Sequence, residues 1–169
     1  MLHRHSLVAA ITTAMLMSVA SPSQAQHENA GGSAGSLTPA DYAEIQQLYA
    51  RYNTAIDAGD ENTWASTFTL DGVFNNNVSG HDALVKFVRD WRERGNPTHL
   101  RHWNTNLLIQ ATPDGAKGSV YLSLLDVGVK PPVSVTTGMY EDVLVKTPQG
   151  WRFKRRTVHP DPPAATPKP

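Results

Sequence analysis

Three side chains of this sequence, Tyr52, Asp57 and His102, have the chemistry needed for proton transfer. A carboxylate that accepts a hydrogen bond from one imidazole nitrogen fixes the tautomer of the ring and stabilises the imidazolium formed when the other nitrogen takes a proton. A phenolic hydroxyl beside them could donate to negative charge developing on a substrate. The alternative interpretation is structural: Asp57 caps local backbone, His102 satisfies its carboxylate, and the Tyr52 ring belongs to the core.

Other polar and aromatic residues could complete such a site. Asn104 and Asn106 alternate with His102 on a predicted strand, so they should share its sheet face, where an amide could orient a substrate carbonyl or bond to a loop. Asp126 follows a row of apolar residues on the next strand. If it is buried, its carboxyl would favour the neutral form and could act as a general acid. The alternative is that Asp126 is solvated at the end of the strand. The remaining residues predicted to bind substrate are aromatic: Tyr49, Trp64 and Phe68.

The sequence gives little support for metal, cofactor or nucleic-acid chemistry. His99 and His102 lack a third ligand at a persuasive spacing, so no metal is expected. The chain contains neither a nucleotide-binding glycine loop nor a nucleophile elbow, and we expect no cofactor. The 15 basic and 15 acidic residues give a net charge near zero. The chain therefore lacks the overall positive electrostatic potential that would attract nucleic acid or an anionic membrane.

A dense basic segment near the end of the chain favours a strand more than a nucleic-acid site. Trp151 and Phe153 alternate there with charged residues, as in a half-buried strand. The basic side chains are then predicted to lie on a solvated sheet face, at a dimer interface. They are Arg152, Lys154, Arg155 and Arg156.

Residues 1–25 are typical of an export signal, with a basic start, an uncharged apolar run and small residues before Gln26. The run is shorter than a bilayer of roughly 30 Å requires, although a transmembrane anchor is the alternative. We therefore expect a periplasmic or secreted protein that has no membrane contact after signal removal. The absence of cysteine excludes disulfides and thiolate nucleophiles. Residues 26–37 are predicted to be a flexible leader and residues 161–169 a disordered, proline-rich tail.

Residues 38–160 are predicted to form one α+β domain of three N-terminal helices packed in a strongly curved, mostly antiparallel sheet. The first helix should begin with Thr38 as N-cap and end at Gly59. Asp60 should cap a short second helix carrying Trp64 and Phe68. The third helix is predicted to start at Ser79 and end at Gly95, after a turn at Asp71–Gly72, and strands are predicted over 101–111, 117–128, 133–146 and 151–158.

Several phrases of the sequence resemble the SnoaL-like branch of the nuclear transport factor 2-like superfamily. They are Ile56-Asp57-Ala58-Gly59-Asp60, Asp71-Gly72-Val73-Phe74, Arg101-His102 with Asn104 to Asn106, Gly138 to Asp142, and Gly150-Trp151-Arg152. The resemblance spans about residues 38–158 and implies a cone-shaped domain that often dimerises through its sheet. Because this superfamily includes dehydratases, isomerases and pure binding proteins, the fold alone does not determine the function.

The resemblance also implies roles for particular residues. In scytalone dehydratase and bile acid 7α-dehydratase type proteins, an aspartate at the end of the first helix pairs with a strand histidine, and these positions match Asp57 and His102. The bile acid enzyme's pattern adds a tyrosine at Tyr52 and an aspartate near Asp126. Hexachlorocyclohexane dehydrochlorinase has a lysine where Tyr52 stands, so its chloride-leaving chemistry is not supported.

These observations predict an exported, cofactor-independent lyase or isomerase acting on a small, largely apolar hydroxylated or carbonyl compound. His102 would be the base and Asp57 its orienting partner. Tyr52 and Asn104 would donate to developing negative charge, and Asp126 would be the acid. The competing hypothesis is a non-catalytic module of the same fold that binds a small ligand or forms a dimer.

Overall fold

The computed structural model describes residues 35–94 and 99–163. The predicted signal, most of the leader, Gly95 and the end of the tail lie outside these ranges. The helices are α1 (Pro39–Ala58), α2 (Glu61–Ser66) and α3 (His81–Glu93). The strands are β1 (Phe68–Phe74), β2 (Val78–Ser79), β3 (Leu100–Thr112), β4 (Gly115–Asp126), β5 (Val133–Thr147) and β6 (Gly150–Pro160). Within the described ranges, none of the helices combines the length and apolar character needed to cross a membrane.

The six strands form one mixed sheet in the order β2-β1-β6-β5-β4-β3. All neighbouring pairs are antiparallel except β1 and β6, which run parallel. Helix α1 contacts β3 and β6, while α3 contacts β1 and β2. The predicted α+β class with a mostly antiparallel sheet is confirmed, and bulges interrupt four of the five strand pairings, which bends the strands.

Three predictions are wrong in the region of strand β1 and its short partner β2. Phe68 begins β1 instead of continuing α2, because it pairs with Phe153 of β6. Asp71 and Gly72 lie within β1 and do not form a turn between elements. Ser79 pairs with β1, so α3 has Gly80 as its N-cap and no side-chain capping bond. In each case a strand pairing overrides the local preference of the sequence.

Helix α1 begins as predicted, with a reciprocal capping box. The Asp41 amide donates to Thr38 Oγ1 at 3.2 Å, and Asp41 Oδ2 accepts from the Thr38 amide at 2.9 Å. Its other oxygen, Oδ1, accepts from Lys146 Nζ at 2.6 Å and from Trp151 Nε1 at 2.9 Å. One buried carboxylate therefore ties the start of α1 to β5 and β6.

We expect Asp41→Ala to lower the free energy of unfolding by about 1–3 kcal/mol, because it removes the cap and leaves the buried Trp151 donor without a partner. The Lys146 hydrogen bond, followed by those from Thr38 and Trp151, holds the pKa of Asp41 below its usual range. A carboxyl whose folded pKa is depressed stabilises the fold above its unfolded pKa of about 3.9 and loses that contribution as the pH falls further. Urea unfolding at neutral and acidic pH measures both effects.

The exposed Asp114 supplies the control for this prediction, since Asp114→Ala removes a carboxylate without removing a buried contact. If the two variants unfold alike at neutral pH, the Asp41 network does not stabilise the fold.

The end of α1 is fixed by Gly59, which has the left-handed conformation at φ 68°. A Cβ at this glycine would lie 1.5 Å from Arg92 Nη1, and this nitrogen donates to the Ala58 carbonyl at 2.6 Å. A side chain here would be strained by the positive φ, and the Arg92 side chain would have to move to make room for it. This arrangement holds Asp57 in the last turn of the helix, close to α3.

Aromatic side chains fill the space between the helices and the sheet. Tyr52 and Trp64 are fully buried, with their ring centroids 5.2 Å apart. Other rings pack around them, namely Tyr49, Phe68, Phe74, Phe87, Tyr140 and Phe153. These rings form the aromatic part of one hydrophobic core that joins the helices to the sheet.

A bulge in β6 decides which basic residue faces this cluster. Val143 pairs with Arg155, whereas the next residue, Leu144, pairs with Phe153, so Lys154 is an extra residue in β6. The insertion shifts the alternation by one position: Arg155 is exposed and Arg156 is completely buried. The prediction that the whole basic segment lies on a solvated face is therefore wrong for Arg156.

Candidate functional site

Asp57 and His102 form a close pair where the last turn of α1 meets the start of β3. His102 Nδ1 lies 2.6 Å from Asp57 Oδ1, and both side chains are largely buried, 7% and 13% exposed respectively. A second link joins the same two elements, because Asn53 Nδ2 donates to Asn104 Oδ1 at 2.6 Å. The bond to Nδ1 orients the imidazole and leaves Nε2 as the nitrogen that can accept a substrate proton.

The Asp57 carboxylate also has a structural contact. The backbone amide of His102 donates to its two oxygens at 3.1 and 3.2 Å. The indole of Trp91 lies beside the imidazole, with ring centroids 6.3 Å apart. The pair therefore has the geometry of an oriented base and also fastens α1 to β3, so its catalytic role stays a prediction.

Tyr52 lies deep in the aromatic cluster. Its ring contacts those of Trp64, Phe68 and Tyr140, and its hydroxyl is buried beside that of Tyr140. Burial raises the pKa of Tyr52 well above its ordinary value, and the neighbouring Tyr140 raises it further. The hydroxyl therefore stays protonated.

Asn104 and Asp126 are held by neighbours other than Asp57 and His102. Asn104 accepts from Asn53 and donates through Nδ2 to the Tyr121 carbonyl at 3.1 Å. Asp126 Oδ1 lies 3.2 Å from His99 Nε2 and accepts from the Gly128 amide at 2.8 Å. In these contacts Asp126 belongs to a turn, and Asn104 belongs to the link between α1 and the sheet. The alternation expected for Asn106 is broken, because this residue has a positive φ at a bulge of β3.

The three aromatic residues predicted to bind substrate lie in the core. Trp64 is fully buried and its indole nitrogen has no protein acceptor, while Phe68 is 4% exposed. The Tyr49 hydroxyl donates to Asp142 Oδ2 at 2.5 Å. It lies directly against β4, where a Cβ at Gly118 would come within 2.1 Å of the hydroxyl oxygen. The glycine therefore makes room for the hydroxyl.

A buried charge cluster near these residues escaped the sequence analysis. The Arg156 guanidinium carbon lies 3.8 Å from the ring centroid of Tyr140 and 4.1 Å from that of Tyr52. Its Nε lies 3.5 Å from Asp142 Oδ1, and both side chains are completely buried. None of the three guanidinium nitrogens has a protein acceptor in hydrogen-bonding geometry. The arginine thus keeps unused donors inside the domain.

Part of this cluster had a detectable sequence signal. Tyr140, Asp142 and Leu144 alternate along a predicted strand, which places an aspartate on a face that is otherwise apolar. An inward carboxylate needs a cation or donors. The sequence could therefore have indicated a buried partner for Asp142, but choosing Arg156 over Arg155 required the bulge.

Burial and charge act against each other in this cluster. Burial raises the pKa of Asp142, opposed by the charge of Arg156 and the hydrogen bond from Tyr49. Burial also raises the pKa of Tyr49 and Tyr140, so both remain neutral hydroxyl groups. The charge of Arg156 opposes this rise in the pKa of Tyr140.

Four surface cavities formed by described residues lie away from the Asp57–His102 pair. The first, of about 480 Å³, is lined by outward-facing parts of β3 to β6, including Lys117, Glu141 and Arg155. The other three lie along α3, between α1 and β6, and at the edge formed by β4 and β5. None of these four is lined by Asp57, His102 or Tyr52. Across residues 35–94 and 99–163, no group of three or more metal-ligating side chains could hold a metal ion.

Comparison with known proteins gives relatives of similar size and fold. The uncharacterized protein Rv2910c of Mycobacterium tuberculosis is 29% identical over 121 residues, which cover 69% of this chain and 82% of that protein. The structure of a Catenulispora acidiphila protein in complex with S-DNPA is 30% identical, covers 73% of this chain and 95% of that chain, and superposes with a TM-score of 0.64. A protein of unknown function with a cystatin-like fold from Nostoc punctiforme is 24% identical, covers 75% and 95% of the two chains, and gives a TM-score of 0.67, which supports the fold alone.

The model of the SnoaL-like domain matches residues 38–157. This match spans α1 to β6 and therefore includes the Asp57–His102 pair and the Arg156 cluster. The resemblance suggested by the sequence phrases is confirmed: this chain belongs to the SnoaL-like domain family.

Proposed function

We propose that this protein is a cofactor-independent lyase or isomerase that removes a proton from a small, largely apolar hydroxylated or carbonyl compound. The contact that carries the proposal is the 2.6 Å distance between His102 Nδ1 and Asp57 Oδ1. His102 Nε2 takes the proton, and Asp57 orients the ring and stabilises the imidazolium. The Tyr52 hydroxyl is a donor on the same helix. The S-DNPA complex of the Catenulispora acidiphila protein supports a small-molecule ligand.

The location of the pair adds a second line of support. An ion pair on the surface would be solvated, whereas these two side chains are largely withdrawn from water. An imidazole and a carboxylate interact more strongly where the effective dielectric constant is low.

A screen for turnover tests this proposal. Protein that begins at Gln26 is incubated with hydroxylated steroids, aromatic polyketides and small enones, and the products are examined by mass spectrometry for loss of water and by chromatography for isomerisation. We expect at least one compound to react with the wild-type protein and not with His102→Ala. Thermal stabilisation by these compounds with no product in either protein would refute the enzymatic proposal.

The second candidate function is a module that binds a small ligand without reaction. The observation that favours it is the dense aromatic filling between helices and sheet, together with the position of the four cavities away from His102. Under this hypothesis, Asp57 and His102 only fasten α1 to β3. Ligand binding would then be unaffected by His102→Ala and would lead to no product.

Export and dimerisation through the sheet complete the proposal. Export is tested by fractionating cells that produce the chain with and without residues 1–25, since only the former should yield mature protein outside the cytoplasm. The outward face of the sheet carries exposed apolar side chains, including Trp103 at 59% and Tyr121 at 53%, which suits a second copy of the chain. Sedimentation of Trp103→Glu against wild type tests the dimer.

A further inference from the structure

A cleft of about 550 Å³ lies between α1 and the start of β6, and we call it the α1–β6 cleft. On its helical side it is lined by Glu44, Gln47 and Arg51, which recur at three- and four-residue spacing and therefore lie on one stripe of α1. On its sheet side it is lined by Gly150 and Arg152, among other residues of the β5–β6 turn and β6. Two arginine side chains from different elements thus border one cavity.

The two arginines of the α1–β6 cleft lack an acidic partner. Among the described residues, neither Arg51 nor Arg152 forms an ion pair, whereas the nearby Lys146 is paired with Asp41 at 2.6 Å. Burial lowers the pKa of Arg152, and the positive charge of Arg51 lowers it further. The two guanidinium groups therefore repel each other, and an anion that contacts both would relieve this repulsion.

The Arg152 side chain is held in place by its own strand. Its Nη1 atom donates to the Trp151 carbonyl at 2.8 Å. This carbonyl belongs to the first part of β6, which precedes the pairing with β1 that starts at Phe153. A guanidinium whose orientation is already fixed loses less conformational freedom when a ligand binds. Its planar shape also matches a carboxylate, which can accept two parallel hydrogen bonds from it.

Gly150 keeps the space beside Arg152 open. A Cβ at this residue would lie 3.7 Å from Arg152 Nη1 and 3.6 Å from Glu44 Oε2. The φ of 98° at Gly150 is also a conformation that residues with a side chain rarely adopt. The turn between β5 and β6 therefore leaves room for a ligand between the Glu44 carboxylate and the Arg152 guanidinium.

The charges that line the α1–β6 cleft favour a ligand with one negative charge. Arg51 and Arg152 contribute two positive charges, and Glu44 contributes one negative charge. A carboxylate would balance the remaining positive charge, whereas a dianionic phosphate ester would leave an excess negative charge beside Glu44. Leu48 and Trp151 also line the cleft and offer apolar surface to the group that bears the carboxylate.

We propose that the α1–β6 cleft binds a small organic monocarboxylate, with Arg51 and Arg152 contacting the carboxylate and Glu44 disfavouring dianions. This site is independent of the proposed reaction, because neither Asp57 nor His102 lines the cleft. Binding there requires no covalent step.

Three probes that share a phenyl ring test the proposal, namely benzoate, neutral benzamide and phenyl phosphate at a pH where its phosphate is dianionic. Their dissociation constants are measured by chemical-shift titration of the isotope-labelled protein. We expect benzoate to bind about 10-fold more tightly than benzamide, because two partly solvated ion pairs each contribute modestly. Arg51→Gln and Arg152→Gln should each reduce this preference by about threefold, and the double variant should abolish it. Glu44→Gln should tighten the binding of phenyl phosphate more than that of benzoate, because a carboxylate repels a dianion more strongly.

Arg155→Gln is the matched control, because Arg155 is exposed on the same strand and lines a different cavity. This variant should leave all three dissociation constants unchanged. The proposal is refuted if the wild-type protein does not prefer benzoate to benzamide, or if the preference survives in the double variant of Arg51→Gln with Arg152→Gln. A preference that is lost in Arg155→Gln would assign the anion to the other cavity and would also refute the proposal. Tighter binding of phenyl phosphate than of benzoate to the wild-type protein would overturn the assignment to a monocarboxylate.

Discussion

Asp57→Asn should lower kcat for a carbonyl compound that the wild-type protein converts by about 10²- to 10⁴-fold, the range expected for a positioned general base. The amide can still accept a hydrogen bond from the His102 backbone, but it cannot stabilise an imidazolium by charge, and it can hold the ring in the wrong tautomer. The fold should survive, with a change in unfolding free energy of about 1 kcal/mol. Steady-state kinetics and urea unfolding on the same preparations measure the two quantities.

This comparison separates catalysis from structure at the pair. A purely structural Asp57 would affect stability and leave kcat close to wild type in the folded fraction. His159→Ala is the control, since this histidine is exposed and pairs with Glu141 away from the candidate site. An unchanged kcat in Asp57→Asn would exclude a catalytic role for Asp57 in orienting His102 and stabilising its imidazolium.

Arg156→Met should have the largest effect on stability, lowering the unfolding free energy by about 3–5 kcal/mol. The substitution preserves most of the side-chain volume but leaves the carboxylate of Asp142, which is completely buried, without its cation. Adding Asp142→Leu should recover most of the loss, because replacing both members of a buried ion pair by apolar residues is often neutral or stabilising. Denaturant unfolding of the wild type, the two single variants and the double variant gives the coupling free energy.

Two outcomes would contradict this prediction. If the double variant is no more stable than Arg156→Met alone, the Arg156–Asp142 pair is not the source of the loss. If Arg156→Met is as stable as the outward-facing control Arg155→Met, the burial of the guanidinium has been assigned to the wrong arginine.

Local sequence signals predicted most of the helical structure of this domain. The capping box at Thr38 and Asp41 and the left-handed Gly59 set both ends of α1, because these signals act within a few residues of the chain. The four long strands were also located to within about two residues from their alternation and turn residues, the accuracy expected of boundaries. Strands β1 and β2 were missed because their pairings, such as Phe68 with Phe153, involve residues distant in the sequence.

The contacts of the candidate site were also only partly predictable from the sequence. The contact of Asp57 with His102 was anticipated from a family pattern, and the structure brings the two within 2.6 Å. The alternative interpretation placed the Tyr52 ring in the core, and the structure has it completely buried there. Asp126 and Asn104 could not be placed from spacing, because their partners, His99 and Asn53, were chosen by loop and helix geometry.

The sequence by itself determined the family, the fold class and the residue types available for proton transfer, because these depend on local periodicity, capping and short phrases. The tertiary structure decided which of the basic residues near the C-terminus enters the core. One extra residue in β6 turns Arg156 inward and Arg155 outward, and a bulge is a property of two paired strands that neither strand's own pattern reveals.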